Sequence, residues 1–413
     1  MSAFPGHAPG DRDYRRLVIG LFFAGVATFA QLYSPQAVLP LIAVEFAVSP
    51  SVAALAVSVS TLGLALAVLP WSMAADRWGR VPAMAVGITV ATAIGILATF
   101  APTIELFLLA RFLEGVGLGA MPAIALTYLT EEVSVAHTVR VAGSYIAGTS
   151  VGGLVGRIVA GPVADLDMWR TGVLAVAVLC AISAVAFLRL TPRSRGFVPG
   201  GGAPGGGAPG FRALRRGLAV NLRSGPQWAL YAQAFLLMGG FVAIYNYLGF
   251  RLIAEPFALP PGQVSLLFVA YLAGTVASPR AGALAARIGR LRVLVASTAV
   301  MALGVVATAG GSVVVVLLGL VVFTAGFFAA HAIASGWAPV LANSHARAQA
   351  SSLYYLAYYG GSSLLGWALG YVLSAFAWPG VVAVVVGMCA VAAVWALIAL
   401  RGSEPPVTPR SPR

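Results

Sequence analysis

From Leu17 to Leu400 the chain is a succession of apolar runs separated by short loops. Each run is about 20 residues long, which as a helix crosses the roughly 30 Å hydrocarbon core of a bilayer. Only 9% of the residues are charged and 60% are hydrophobic, against about 25% charged in a soluble domain. A soluble globular fold is excluded, and an all-α integral membrane protein is expected. Twelve spans can be drawn, at 17–44, 51–74, 82–101, 104–126, 138–162, 170–190, 228–252, 263–284, 293–309, 313–336, 348–376 and 378–400. Pro35 and Pro40 predict that span 1 kinks or ends early.

The net charge of +13 comes entirely from Arg, since Lys is absent. With both termini placed in the cytoplasm, 20 of the 25 Arg fall on the cytoplasmic side, Arg170 and Arg251 lie near outer ends, and Arg111, Arg157 and Arg280 lie within spans. That asymmetry is an orientation signal. It excludes a nucleic-acid partner and makes the lipid bilayer the partner of this charge. Cys180 and Cys389 fall inside spans, 209 residues apart, and read as small packing residues. The polar residues 1–16, followed by a run too long for a signal-peptide core, predict no cleaved signal.

Two short segments repeat each other at an offset of 210 residues. Ser72–Arg80 reads S-M-A-A-D-R-W-G-R and Gly282–Arg290 reads G-A-L-A-A-R-I-G-R. Each lies in a tight loop between two spans, the mark of an internally duplicated transporter. The expected domains are an N-terminal segment 1–16, a six-helix bundle 17–190, a linker 191–226, a second bundle 227–400 and a tail 401–413. Residues 199–210, P-G-G-G-A-P-G-G-G-A-P-G, predict a flexible cytoplasmic linker. Its flanking Arg either rest on anionic headgroups or serve only as orientation signals.

This layout resembles the major facilitator superfamily. The family loop signature G-x-L-x-D-R-x-G-R is matched by Asp76, Arg77, Gly79 and Arg80, with Ser72 and Ala74 in the Gly and Leu slots. The second copy matches at Gly282, Leu284, Arg287, Gly289 and Arg290, but Ala286 replaces the acid. The family motif R-x-x-x-G-x-G is present as Arg111, Gly115 and Gly117. The stretches Y-L-T-E-E (128–132), F-L-L-M-G (235–239) and A-G-F-F-A-A-H (325–331) look like the YnfM-type bacterial inner-membrane transporters, near the drug and sugar efflux branches. The resemblance implies two pseudo-symmetric six-helix bundles with a substrate site near the midplane. It also implies that Asp76 latches the halves at the cytoplasmic face, against the helix N-terminus at Arg347–Ser351, a contact that Ala286 cannot mirror.

Of the twelve acids only Glu114 lies near the middle of a span, with Arg111 three residues away on a similar face. Intramembrane charge is costly and usually functional. Glu114 is either a proton-coupling carboxylate assisted by Arg111 or half of a static ion pair. His331 in span 10 is the other titratable candidate, or a hydrogen-bonded packing residue. Residues 148–157 resemble the Gly-rich span-5 motif of family exporters at Gly148, Gly152 and Gly156, the helix-packing set, while Gly153 and Arg157 replace its Pro and last Gly. Arg157 either attracts an anionic substrate or snorkels to the outer headgroups. Gln31, Gln36, Tyr245, Asn246, Tyr355 and Tyr358 are further cavity candidates, and Tyr247 and Tyr354 are candidate interface anchors.

No phosphate-binding loop, metal-ligand cluster or nucleophilic triad is readable, so no cofactor, metal or enzymatic activity is expected. The expected function is secondary transport of a small solute by alternating access, as proton-coupled efflux in the bacterial cytoplasmic membrane. Proton symport or facilitated uptake is the transporter alternative, and a receptor or scaffold the alternative from another class. One chain holds both halves, so a monomer suffices.

Overall fold

The computed structural model describes residues 4–164, 168–197 and 211–403. The glycine-rich stretch 199–210, Asp165, Asp167 and the tail from 404 lie outside them. Among the described residues there is one isolated β-bridge, His7 to Val133, and the regular structure is otherwise helical.

Span 1 is three pieces. Helix α1 (Arg12–Tyr33) gives way to a 3-10 turn at Ser34–Val38 and then to α2 (Leu39–Glu45). Each proline sits at the start of the piece it begins, where its missing N–H costs least. Spans 2 and 3 are α3 (Pro50–Trp78) and α4 (Arg80–Ala98). Span 4 is broken into α5 (Ile104–Leu118) and α6 (Pro122–Glu132). Spans 5 and 6 are α7 (Thr138–Ala164) and α8 (Trp169–Leu190).

Helix α9 (Phe211–Leu222) precedes span 7, α10 (Gly225–Ile253). Span 8 is built from α11 (Pro261–Ser265), a 3-10 turn at Leu266–Tyr271, and α12 (Leu272–Ile288). Spans 9 and 10 are α13 (Arg290–Ala307) and α14 (Val313–Leu341). Helix α15 (Arg347–Leu400) holds spans 11 and 12, parted at Ala377, whose φ of 51° is non-helical. Twelve crossings are thereby accounted for. Among the described residues, ten helical stretches are long and apolar enough to span by length and composition; one of them is the doubled α15, and the divided span 4 adds the last.

The chain forms two compact units. One comprises Met1–Val48, Val52–Pro209 and Ala258–Leu266; the other Ser49–Ser51, Gly210–Phe257 and Leu267–Arg413. Residues 258–266 group by contact with the first unit, where α11 packs on α7. One sequence expectation is corrected here: the linker 191–226 is not irregular throughout. Leu214, Leu218 and Leu222 recur at helical spacing and form α9. Asn221 fastens α9 to the second unit by donating from Nδ2 to the Ala346 carbonyl at 2.9 Å.

Within the first unit, α7 lies against α1 along small residues. A Cβ added at Gly148, Gly152 or Gly156 would stand 2.1, 2.5 and 2.5 Å from the carbonyl oxygens of Phe22, Val26 and Ala30. The second unit repeats the device between α15 and α10, where a Cβ at Gly361 would stand 2.0 Å from the Phe235 carbonyl oxygen.

Candidate functional site

The break in span 1 is the hub of the first unit. Pro35 has no N–H, so the Gln31 carbonyl loses its usual helical partner. The Ser34 backbone N–H and hydroxyl turn back to it, and Arg111 supplies a further donor, Nη1, at 3.2 Å. Arg111 Nη2 donates to the Leu32 carbonyl at 2.7 Å and Nε to the Ala56 carbonyl of α3 at 3.0 Å. The third contact needs α3 and α5 to touch backbone to backbone. Gly115 and Gly63 allow it, since added Cβ atoms would stand 2.0 Å from the Ser60 oxygen and 2.4 Å from the Phe112 oxygen.

Glu114 lies one helical turn from Arg111. Its Oε2 accepts from Arg111 Nη1 at 2.5 Å, and both residues are 1% exposed. Gly95 of α4 leaves the space into which the carboxylate reaches; a Cβ there would stand 2.9 Å from Glu114 Oε1 and 3.2 Å from Gln31 Oε1. The Gln31 amide donates to Thr92 Oγ1 and to the Ala27 carbonyl, while its Oε1 is buried without a hydrogen-bond donor. Gln31 is therefore part of the charged cluster.

Arg157 meets the same break from α7. Its Nε donates to Gln36 Oε1 at 2.7 Å, its Nη1 to the Gly153 carbonyl at 2.5 Å, and its guanidinium lies 4.1 Å from the centre of the Tyr33 ring. It is 1% exposed, which corrects the snorkelling alternative: the guanidinium turns inward to Gln36 and Tyr33.

The repeated loops share a backbone and differ in charge. Gly79 and Gly289 adopt φ of 96° and 97°, a region that glycine enters without strain, and each starts the next helix. Arg80 is buried between two carboxylates, Asp76 at 2.5 Å and Glu131 at 2.8 Å, instead of anchoring the loop among headgroups. Arg77 is exposed, and Arg290 makes no ion pair among the described residues. Glu132, the last residue of α6, is also buried; its Oε1 accepts from the backbone N–H groups of Arg195 and Gly196, both at 2.7 Å.

The second unit is aromatic where the first is charged. Phe241 of α10 stacks on Phe327 of α14 with ring centres 4.0 Å apart. Tyr245 shares a hydrogen bond with Thr324 at 2.7 Å and stacks on Phe268. Asn246 donates to the Gly366 carbonyl at 3.3 Å, and Tyr247 to Gly366 and Trp367. His331 Nδ1 is 3.0 Å from the Tyr354 hydroxyl, with its ring parallel to Phe327 and 4.9 Å from Tyr358.

Gln31, Gln36, Tyr245, Asn246 and Arg157 are at most 4% exposed and hydrogen-bonded to neighbouring elements. Tyr247 and Tyr354, expected as interface anchors, are buried hydrogen-bonding residues. Tyr355 is 46% exposed and Tyr358 half-buried. Among the described residues no group of His, Cys, Asp or Glu could hold a metal ion.

The sequence profile of the Major Facilitator Superfamily matches residues 21–252 and 234–413. The chain belongs to the Major Facilitator Superfamily. It is 37% identical to the inner membrane transport protein YnfM of Escherichia coli strain K12, over 93% of this chain and 90% of that protein. It is 34% identical to the uncharacterized MFS-type transporter YybF of Bacillus subtilis strain 168, over 93% of each chain. Among solved structures, a bacterial homolog of the human lysosomal transporter Spinster, inward-facing and unoccupied, aligns with a TM-score of 0.77 at 17% identity, covering 96% of this chain and 98% of that one.

This superfamily member is thus a multi-pass membrane transporter and not an enzyme. Sequence reasoning passed over Glu131 and Glu132 as acids at a span end and Tyr33 as one aromatic among many. Their only signals were adjacency to a family motif and to the Pro35 break. The partners that give them roles lie 51 to 124 residues away along the chain.

Proposed function

We propose that the protein is a proton-coupled exporter of a small solute, working by alternating access in the bacterial cytoplasmic membrane with both termini inside. One observation carries the coupling: the carboxylate of Glu114 is buried in α5 against an Arg whose other donors are held by backbone carbonyls of α1 and α3. A buried carboxylate keeps its charge while a cation sits against it, and takes a proton when the two part. Movement of α1 or α3 would shift the carbonyls that hold Arg111, and so couple helix motion to proton binding at Glu114. Gln31 Oε1, buried beside Glu114 without a donor, is an acceptor suited to the protonated acid. Asp76 is the gating acid, with half of its side chain open beyond the Arg80 pair.

Export is favoured by the Gly148–Gly152–Gly156 pattern, which resembles that of family exporters. Inner-membrane placement is supported by the likeness to YnfM and the Arg asymmetry.

The test is a solute panel on the purified protein in liposomes, with and without a pH gradient. Gradient-driven movement that Glu114→Gln abolishes, with solute exchange retained, is the expected result. Unchanged coupling in both Glu114→Gln and His331→Ala removes proton drive. Accumulation in the direction of the proton gradient replaces export with symport. Asp76→Asn is expected to slow transport; no change in rate or in the balance of conformers removes its gating role.

A further inference from the structure

Arg280 is the third arginine inside a span, and the charged cluster does not include it. It lies on α12, eight residues before the helix ends at Ile288, so about 12 Å from that end. It is exposed, and among the described residues it makes no hydrogen bond, ion pair or ring contact. Arg111 and Arg157, by contrast, are wrapped by carbonyls, amides and an aromatic ring.

The face that carries Arg280 is apolar above it. Leu266, Val269, Leu272 and Val276 recur at spacings of three and four and are 42–54% exposed. The opposite face, with Phe268 and Tyr271, is turned to Phe241 and Tyr245. On the neighbouring α14, Val314, Leu318, Val321 and Val322 are also exposed. Between α12 and α14 lies a shallow, open groove of about 570 Å³, lined by Val269, Leu272, Val276, Val321, Ala325 and Arg280. In a membrane-spanning chain, such an apolar exposed face meets acyl chains.

We propose that this groove is a binding site for one anionic phospholipid, whose acyl chain lies along α12 and α14 and whose phosphate pairs with Arg280. Charge complementarity selects the occupant. A guanidinium at this depth is costly without a counter-charge. A phosphodiester brings two acceptor oxygens that fit the guanidinium fork, and the attached acyl chain fills the apolar wall. A soluble anion would satisfy the charge and leave the groove unfilled.

The test is lipid retention by the full-length protein in nanodiscs of phosphatidylglycerol and phosphatidylcholine, followed by extraction and native mass spectrometry. The wild type is expected to keep one phosphatidylglycerol in preference to phosphatidylcholine. Arg280→Gln should lower that preference about five-fold, Arg280→Lys should lower it less, and Arg292→Gln, in the first turn of α13, should leave it unchanged. Val276→Trp fills the groove with Arg280 intact and should lower the preference as Arg280→Gln does; it decides the matter if Arg280→Gln does not fold. No preference in the wild type overturns the site, as does an equal fall with Arg292→Gln, which would mean diffuse surface charge. Loss with Arg280→Gln but not with Val276→Trp removes the groove from the site and overturns it as described.

Discussion

The two units use similar close-packing glycines and loop turns, but different side-chain chemistry. Gly79 and Gly289 turn the two loops with φ values one degree apart. Gly148 in one unit and Gly361 in the other bring helix backbones into contact at nearly equal distances. The interiors diverge. The first unit buries Arg80, Arg111, Glu114, Glu132 and Arg157, and the second joins its helices through Tyr245, Asn246, Tyr247, His331 and Tyr354. Backbone geometry withstands duplication because a close helix crossing tolerates nothing larger than Gly. Buried charge does not, because each charge needs a partner supplied by another helix, and losing one partner removes the reason for the other.

The sharpest way to break this comparison is at the charges. Arg111→Ala leaves Glu114 as a buried unpaired carboxylate and should cost about 3–5 kcal/mol, read as a large drop in thermal unfolding temperature in detergent. Should it prove as mild as a neutral substitution in the second unit, the two interiors are energetically alike and the contrast fails. Next come the shared glycines. Gly148→Ala and Gly361→Ala drive a methyl into a carbonyl oxygen in either unit, and each should cost about 1–3 kcal/mol by the same measurement. A large inequality between them would show that the packing faces are not equivalent.

The loops come third. Arg80→Ala removes two ion pairs from a partly buried site and should cost about 1–2 kcal/mol, whereas Arg290→Ala should stay within about 0.5 kcal/mol. Equal effects would mean that Ala286 has not unbalanced the loops. The smallest effect is expected at Tyr354→Phe, which gives up one neutral hydrogen bond to His331, about 1 kcal/mol. The partly exposed Tyr355→Phe should give no measurable shift.

Much of this was legible in the residues. The apolar spans follow from run length, and the duplication is written in the two Arg-x-Gly-Arg loops. Glu114 and Arg111 stood out because charge inside an apolar run is rare. The helix α9 was hidden because the glycine-rich stretch beside it dominates the composition of the linker. Tyr354 was misplaced because a tyrosine near a span end reads the same whether it meets headgroups or a histidine on another helix. The packing of α11 on α7 was not legible, because no local pattern records what a five-residue helix touches.

The sequence alone pointed to an all-helical membrane protein with a repeated loop in its two halves and an acid inside an apolar run of the first half. These are properties of run length, periodicity and charge count, which are local. The tertiary structure decided what the charges do. It showed that Pro35 frees a carbonyl for Arg111, that Arg157 turns to Tyr33 and Gln36, that Arg80 sits between two acids, and that Arg280 has no protein partner among the described residues. Hydrogen bonds and ion pairs are made over about 3 Å between atoms that the chain brings together from distant positions, so their pairing is fixed only when the helices are packed.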